Sequence, residues 1–375
     1  MKITQIVASI EERHGGPSRS VRGLAGGLAE AGHTVELLST AHDGNGAARI
    51  EGNLSVRIFS RGRPARLCPA PDLRNHLRQA DTELVHNHGL WLRPLHHAHL
   101  AAAQKGIPLV ISPRGMMSPW AWNHHRLQKR LASWWVHPGA LAAAAGWHAT
   151  SESEADDIRR LGFNQPVCVA PNGVEPPSAK KEAAEARHWL ERLPVLAGRR
   201  VALFYSRFHA KKRVLELIDL WLSQSRGDWV LLIVGIPEEY TVNQLDSYVA
   251  RNACRDRIIV EDGTRHPPPY AAASLFLLPS HSENFGLVVA ESLVRGVPVL
   301  ATDTTPWQDL DHIGAGRCVT WDDYGRTLDT LLRESPETLA ACGQRGRAWA
   351  REEFSWGKTA GMLATFYAEL RAAAG

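Results

Sequence analysis

Residues 274–303 read SLFLLPSHSENFGLVVAESLVRGVPVLATD. Leu275–Leu278 are four consecutive apolar residues, closed by Pro279 and Ser280, which predicts a short buried strand. A polar loop over 280–284 leads into FGLVVAESLVRG, a helix expected to start around Phe285–Leu287. VPVLATD then returns as a second strand. Strand, helix and strand in so short a span form a βαβ unit, which places parallel strands in a sheet covered on both faces.

The same alternation extends outward. RRVALFYS, WVLLIVG and RIIVED precede this unit as strands, with helices between them. In the first half KITQIVAS, TVELLS, SVRIF, ELVHNH and PLVISP read as strands, and SRSVRGLAGGLAEAG, DLRNHLRQA and RPLHHAHLAAAQKG as helices. Gly32 and Gly106 stand where helix C-terminal caps belong. The chain therefore reads as two doubly wound, Rossmann-like α/β domains. The first spans 1–175, a polar linker 176–198, and the second 199–355, while 356–375 form a helix that returns to the first domain. Ligands of such sheets bind at the carboxyl ends of the strands, so a site in a cleft shared by the two domains is expected.

Composition narrows the class. Hydrophobic residues make up 44% and charged residues 22% of 375, with a net charge of +4. That balance fits a soluble globular protein and gives no footprint for nucleic acid. Cys68, Cys168, Cys254, Cys318 and Cys342 are scattered without a CxxC pair, which reads as reduced thiols. No signal-peptide core follows Met1, and LASWWVHPGALAAAAGWHAT is interrupted by His137 and Pro138. The expectation is a cytoplasmic protein without a membrane span. Charge distribution adds one feature. Residues 84–151 contain no Asp or Glu, yet hold Arg93, Lys105, Arg114, Arg126, Lys129 and Arg130 and six tryptophans. Buried strands and Ala-rich helices that need no acids would explain it. So would a face that meets an anionic acceptor or makes peripheral contact with an anionic membrane.

Within 274–303, Glu283 and Glu291 bracket seven residues. Free amides at a helix start favour a phosphate, and Gly286 lets backbone approach a ligand. Carboxylates repel phosphate but accept hydrogen bonds from hydroxyls and diols. A ligand with phosphates in the middle and hydroxyls on both sides, a nucleotide sugar, fits this layout. An ordinary reading leaves Glu283 beside a cap and Glu291 in solvent. Upstream, Ser206-Arg207 end a strand and Lys211-Lys212-Arg213 open a helix. Cations there oppose the helix dipole, so a pyrophosphate is the expected counter-charge. Gly15-Gly16 after the first strand form a glycine turn but not a GxGxxG, which disfavours a dinucleotide enzyme.

Pro279, Ser280, Glu283, Asn284, Phe285, Gly286, Glu291, Gly296, Pro298 and Val299 together resemble the E-x7-E signature of retaining GT-B glycosyltransferases of the GT4 type. APNGV (170–174) and the late Phe354-Ser355-Trp356 are similar too, so the resemblance spans nearly the whole chain. It implies a GT-B fold and transfer of a hexosyl unit from a UDP- or GDP-sugar to an acceptor hydroxyl, with retention and without metal. The acceptor would be a saccharide or lipid-linked molecule of cell-surface polysaccharide or glycolipid assembly. It also implies roles by position. Glu283 would hold hydroxyls of the transferred sugar and Glu291 the ribose diol. Arg207 and Lys212 would hold the pyrophosphate, and Asn284, Phe285, Gly286 and Leu287 the phosphate and sugar through backbone amides. Gly16 would lie near the donor phosphates, and Gly263-Thr264 would grip the base.

Two departures stand out. The family's GR…KG is Ser206-Arg207 and Lys212-Arg213 here, so Arg213 would add a phosphate contact or narrow the site. A histidine of the family is replaced by Arg114 in ISPRGMMSPW, a form similar to a bacterial polysaccharide-assembly subset that also carries HGLW, here His88–Trp91. His88 and Arg114 are thus acceptor or active-site candidates, and Arg114 cannot act as a general base. The histidines His86, His88, His96, His97 and His99 lack nearby acids and are not read as a metal site, nor is Asp309-Leu310-Asp311, read as loop. A sugar-nucleotide epimerase or an inactive sugar-nucleotide-binding module would share the fold.

Overall fold

The structure is a computed structural model that describes residues 1–11, 16–123, 126–223, 227–251 and 257–374. Gly15 and Cys254, named above, lie outside the described residues. The chain divides into two compact units, Met1–Gly173 with Ser355–Gly375, and Val174–Phe354.

The first unit holds an eight-stranded sheet in the order β3-β4-β2-β1-β5-β6-β7-β8. Its strands are β1 (Lys2–Val7), β2 (Thr34–Ala41), β3 (Asn45–Glu51), β4 (Leu54–Ser60), β5 (Leu84–His88), β6 (Leu109–Ser112), β7 (Gly146–Ala149) and β8 (Val167–Val169). All pairings are parallel except β3 with β4. The sequence reading missed β3. NGAARIE turns mostly exposed side chains outward and lies at the sheet edge, so pairing of its backbone leaves no apolar alternation to read.

The second unit holds a six-stranded, wholly parallel sheet in the order β11-β10-β9-β12-β13-β14. These are β9 (Arg200–Phe208), β10 (Trp229–Pro237), β11 (Ile258–Asp262), β12 (Leu275–Leu278), β13 (Val299–Thr302) and β14 (Gly316–Val319). Successive residues alternate between two cores. Val230, Leu232 and Val234 of β10 join Phe276 and Leu278 of β12 in one layer. Trp229, Leu231 and Ile233 join Leu275 and Leu277 in the other. Apolar burial on both faces explains why these strands read as continuous hydrophobic runs.

The stretch read as a linker, 176–198, is corrected by the structure. Ser178 caps a helix Ala179–Arg192 by accepting from the Lys181 amide. Trp189 on that helix is fully buried in the second unit and donates to the Pro267 carbonyl at 3.1 Å. Its surface is Ala/Glu/Lys-rich because only one face is covered, which made it resemble a linker.

The last helix, Trp356–Ala374, buries Thr359, Ala360, Leu363, Phe366, Tyr367 and Leu370 within the first unit. Its first residue sits where three side chains are missing. A Cβ on Gly23 would lie 2.1 Å from the Trp356 ring, one on Gly27 2.8 Å from its carbonyl, and one on Gly173 2.5 Å from its amide. The glycines of GLAGGLAEAG and APNGV thus make the seat for the Trp of the late Phe-Ser-Trp.

Candidate active site

In the second unit the strand order sets Gly263 after β11, Gly235 at the end of β10, Arg207 at the end of β9 and Ser280 after β12 along one edge of the sheet. Pairing aligns Gly235 with Ser206 and Ile236 with Arg207. A Cβ on Gly235 would fall 1.9 Å from the Ser206 carbonyl, so glycine is obligatory there. The Gly263 amide donates to the Gly235 carbonyl at 2.8 Å. Thr264 is exposed and turned back on Asp262, to which its amide and hydroxyl donate at 2.8 and 2.7 Å.

Two segments distant in sequence meet at the end of β12. After β9 the chain makes a 3-10 turn, Ala210–Lys212, and the following helix is Val214–Leu222. The Lys212 ammonium donates to Glu283 Oε1 in an ion pair whose side chains are only 10% and 11% exposed. The Ser280 hydroxyl donates to the same oxygen at 2.8 Å. The His281 amide donates to the Lys211 carbonyl at 2.9 Å, lacing the two segments together. Burial alone would push the Glu283 carboxyl up. The charge and hydrogen bond of Lys212, the Ser280 hydroxyl and Lys211 outweigh it, so the carboxyl stays below its ordinary value and ionised.

The helix after this loop is shorter than FGLVVAESLVRG suggested: it runs Leu287–Leu293, with Gly286 as a left-handed N-cap at φ 78°. A Cβ on Gly286 would also press against Trp307 Nε1 at 3.1 Å, and that indole donates to the Phe285 carbonyl at 2.6 Å. Glu291 is half-buried and accepts from the Tyr270 hydroxyl at 2.7 Å. Arg295 lies 4.9 Å over the Tyr270 ring and donates to the Glu291 carbonyl at 3.1 Å. Tyr270 and Arg295 were not foreseen. Neither belongs to the E-x7-E spacing, and only packing shows that they hold Glu291.

Arg213 is held within the second unit. Its guanidinium stacks 4.5 Å over Trp321 and donates to the Pro279 carbonyl at 3.2 Å, and its backbone is left-handed at φ 51°. Arg207 is an exposed cation paired with Glu238 at 2.9 Å. Asp309 and Asp311 start a short helix, Asp309–Ile313, instead of lying in a loop, and Asp311 accepts from the Cys318 amide at 2.7 Å.

The first unit carries a different constellation at the ends of β5 and β6. Arg114 is half-buried, with left-handed backbone at φ 55°. It donates to Asn172 Oδ1 at 2.7 Å and to His88 Nδ1 at 3.0 Å. Arginine only donates, so His88 accepts at Nδ1 and carries its proton on Nε2. That Nε2, Arg114 Nε and Asn87 Oδ1 are buried atoms without a partner among the described residues. A chain of neutral groups lies beside them. His148 donates from Nε2 to the Ala170 carbonyl at 2.9 Å, so its Nδ1 accepts from Ser112 at 2.7 Å. Ser112 in turn accepts from His86 Nε2 at 2.7 Å, and His86 Nδ1 accepts from the Tyr367 hydroxyl at 2.6 Å. Burial, then the neighbouring histidine and Arg114, push His86 and His88 well down; burial first and Arg114 next take His148 to about 3. Burial lowers Arg114 to about 10, which leaves it a cation at neutral pH. His88, Trp91, Arg61, Arg114 and Met116 line a cavity of about 530 Å³ in this unit. The sequence motifs HGLW and PRGM thus meet: the Leu90 amide approaches Met116 Sδ at 3.2 Å. Glu154, which follows the acid-free stretch, accepts from the Gly115 amide at 2.6 Å and was not foreseen. Gly16 opens the helix Gly16–Glu30 of this unit, with nothing within 4 Å of a Cβ built there. It belongs to the first unit, as His88 and Arg114 do, whereas the candidates from Arg207 to Glu291 belong to the second.

Residues 14–177 match the sequence model described as Glycosyltransferase Family 4, and residues 187–349 match that of Glycosyl transferases group 1. The chain belongs to the family 4 type of glycosyltransferases. Curated relatives of this GT4 chain include the lipopolysaccharide core biosynthesis mannosyltransferase LpsB of Rhizobium meliloti (strain 1021). It is 28% identical over 52% of this chain and 57% of its own length. A D-inositol 3-phosphate glycosyltransferase of Streptomyces bingchenggensis (strain BCW-1) is 30% identical over 76% of this chain and 66% of its own length. The chain thus spans less than two thirds of either relative. Anabaena Alr3699/HepE, solved with UDP and glucose, superposes with a TM-score of 0.76 at 18% identity, over 98% of this chain and 100% of that one. Sucrose-phosphate synthase from Thermosynechococcus elongatus gives 0.75 at 19% identity over 100% of both chains. The fold of this GT4 chain is accordingly GT-B, two Rossmann-like units.

Proposed function

We propose that this chain is a retaining, metal-independent hexosyltransferase that uses a UDP- or GDP-sugar and an acceptor of cell-surface polysaccharide or glycolipid assembly. The observation that carries the reading is the buried Lys212–Glu283 pair at the end of β12, supported by Ser280. Glu283 offers an ionised acceptor to hydroxyls of the transferred hexose. Glu291, oriented by Tyr270, takes the ribose diol. Lys212 and Arg207 neutralise the diphosphate as it leaves, with Arg207 exchanging Glu238 for phosphate. Backbone amides of Asn284, Phe285, Gly286 and Leu287 add donors, and Gly263-Thr264 meet the base. The acceptor is held in the first unit by His88 and Arg114.

The bond between the anomeric carbon and the phosphate oxygen breaks, that oxygen leaving with the diphosphate, while the acceptor oxygen bonds to the same face of that carbon. The departing phosphate takes the acceptor's proton, so no side chain need form a covalent intermediate. The relative named as a mannosyltransferase of lipopolysaccharide core and the HepE complex with UDP support the donor and pathway classes. Thermal-shift measurements with UDP-, GDP-, ADP- and dTDP-sugars, followed by product NMR with the stabilising donor, test the reading. An α-linked product from an α-linked donor is expected. An inverted product would overturn the mechanism, and turnover of the donor without acceptor to an epimer would favour an epimerase.

A further inference from the structure

The helix Arg126–Trp135 of the first unit carries an exposed apolar stripe. Leu127, Leu131, Trp134 and Trp135 follow the i, i+4, i+7, i+8 spacing of one helical face. They are 78%, 60%, 72% and 76% exposed, and Trp120 on the preceding helix Pro119–Asn123 is 55% exposed. A single exposed leucine is ordinary, but several large apolar side chains on one stripe mark an interaction surface. The helix is nonetheless anchored. Arg93 donates to the Trp135 and Val136 carbonyls at 3.0 and 2.7 Å, closing its C-terminal end. Lys129 donates to the Ala121 carbonyl and lies 5.6 Å over the Trp91 ring, which packs 5.3 Å from Trp122. The inner tryptophans hold the element to the unit and the outer ones face away.

Charge selects the occupant. The stripe lies inside residues 84–151, which have Lys and Arg but no Asp or Glu. A second copy would set two cationic stretches against each other. An anionic bilayer suits both properties: indoles settle at headgroup depth, and the basic stretch draws acidic lipid. Ten residues cannot cross a bilayer, and among the described residues no helix is long and apolar enough to do so. A short amphipathic helix lies in the interface plane instead.

We propose that the helix Arg126–Trp135, together with Trp120, is an interfacial docking surface for an anionic bilayer. The proposal is independent of the transfer reaction and holds equally for a catalytically idle chain. The test is flotation of the full chain with phosphatidylcholine vesicles and with vesicles that also contain phosphatidylglycerol. Recovery is expected with the anionic vesicles at low salt, falling about fivefold or more at high salt, where the screening length shrinks. Trp134→Ser/Trp135→Ser should lower recovery by about fivefold or more, with an unchanged thermal midpoint because both side chains are exposed. Leu127→Ser/Leu131→Ser should act likewise. Absence of flotation by the wild-type chain would overturn the proposal, as would equal flotation of both variants. A lipid-free dimer in sedimentation velocity that the tryptophan substitutions dissociate would assign the stripe to a second copy and overturn it too.

Discussion

The two units end their strands on polar centres of opposite design. In the second unit an ionised carboxylate is buried against an ammonium, and each charge is answered within the protein. In the first unit His86, Ser112, His148 and Tyr367 form a neutral hydrogen-bonded chain beside one half-buried cation, Arg114. A charge pair can trade partners when a charged ligand arrives. At neutral pH the chain of neutral groups fixes geometry and leaves Arg114 to supply the field. Under the proposed function, the second unit would handle the charge that moves during transfer, while the first would position what receives it.

The largest test breaks the charged centre. Lys212→Ala removes the cation proposed to answer the leaving diphosphate, and turnover should fall about a hundred- to a thousandfold. It also strands the Glu283 carboxylate in a site only 11% exposed. Loss of one partner of a buried pair costs about 3–5 kcal/mol, so the thermal midpoint should drop as well. Glu283→Gln keeps shape and one hydrogen-bond acceptor, and its turnover, measured on protein shown to be folded by circular dichroism, separates chemistry from stability. Near-normal turnover in both variants would remove the charged centre from the reaction.

Acid should then separate the units. Three histidines buried in the first unit have folded values below their unfolded one: His148 is near 3, and His97 and His137, both led by burial, are near 4. The unfolded chain therefore binds more protons as pH falls below about 6.5. Their stabilisation is complete above that value and is lost progressively toward the folded values. Glu283 is also held below its ordinary value, but as a carboxylate its contribution is lost only as pH falls below about 4.5. Amide hydrogen exchange at pH 7 and pH 5, corrected for intrinsic rates, should show protection falling first in β5, β6 and β7. Equal loss in β9, β10 and β12 would erase the contrast.

What could be read in advance follows the same divide. The second unit's centre is local in sequence: Ser280, Glu283 and Glu291 share one βαβ unit, and continuous apolar strands announced its parallel sheet. The first unit's centre joins His86, Ser112, Arg114, His148, Asn172 and Tyr367, which lie on five separate segments. No spacing rule links Tyr367 to His86; the seat that Gly23, Gly27 and Gly173 provide for Trp356, with the buried face of the last helix, brings that helix to them. HGLW and PRGM marked His88 and Arg114 as candidates, but their contact and the proton order of the chain required three dimensions. Tyr270, Arg295 and Glu154 escaped because each acts by holding another residue, and holding leaves no motif. Trp189 escaped because a helix with one covered face and a polar remainder looks like a linker.

The smallest test concerns the residue that departs most from the family pattern, Arg213. Its left-handed backbone costs a non-glycine residue about 1–2 kcal/mol, and the family pattern has glycine there. Against this, stacking of the guanidinium on Trp321 contributes about 0.5–1 kcal/mol, and its hydrogen bond to the Pro279 carbonyl about 1.5–3 kcal/mol. Arg213→Gly should therefore change stability by only about 1–2 kcal/mol. The Pro279–Glu283 loop would lose one tether yet keep others, among them the His281 amide on the Lys211 carbonyl, Lys212 on Glu283 and the Thr302 hydroxyl on the Ser280 carbonyl. A loss of turnover well under that of Lys212→Ala, about tenfold or less, is the expected result, read from kcat/KM alongside the thermal midpoint. A loss matching that of Lys212→Ala at unchanged stability would mean that Arg213 leaves Trp321 to reach the donor, and that the charged centre of the second unit has a third cation.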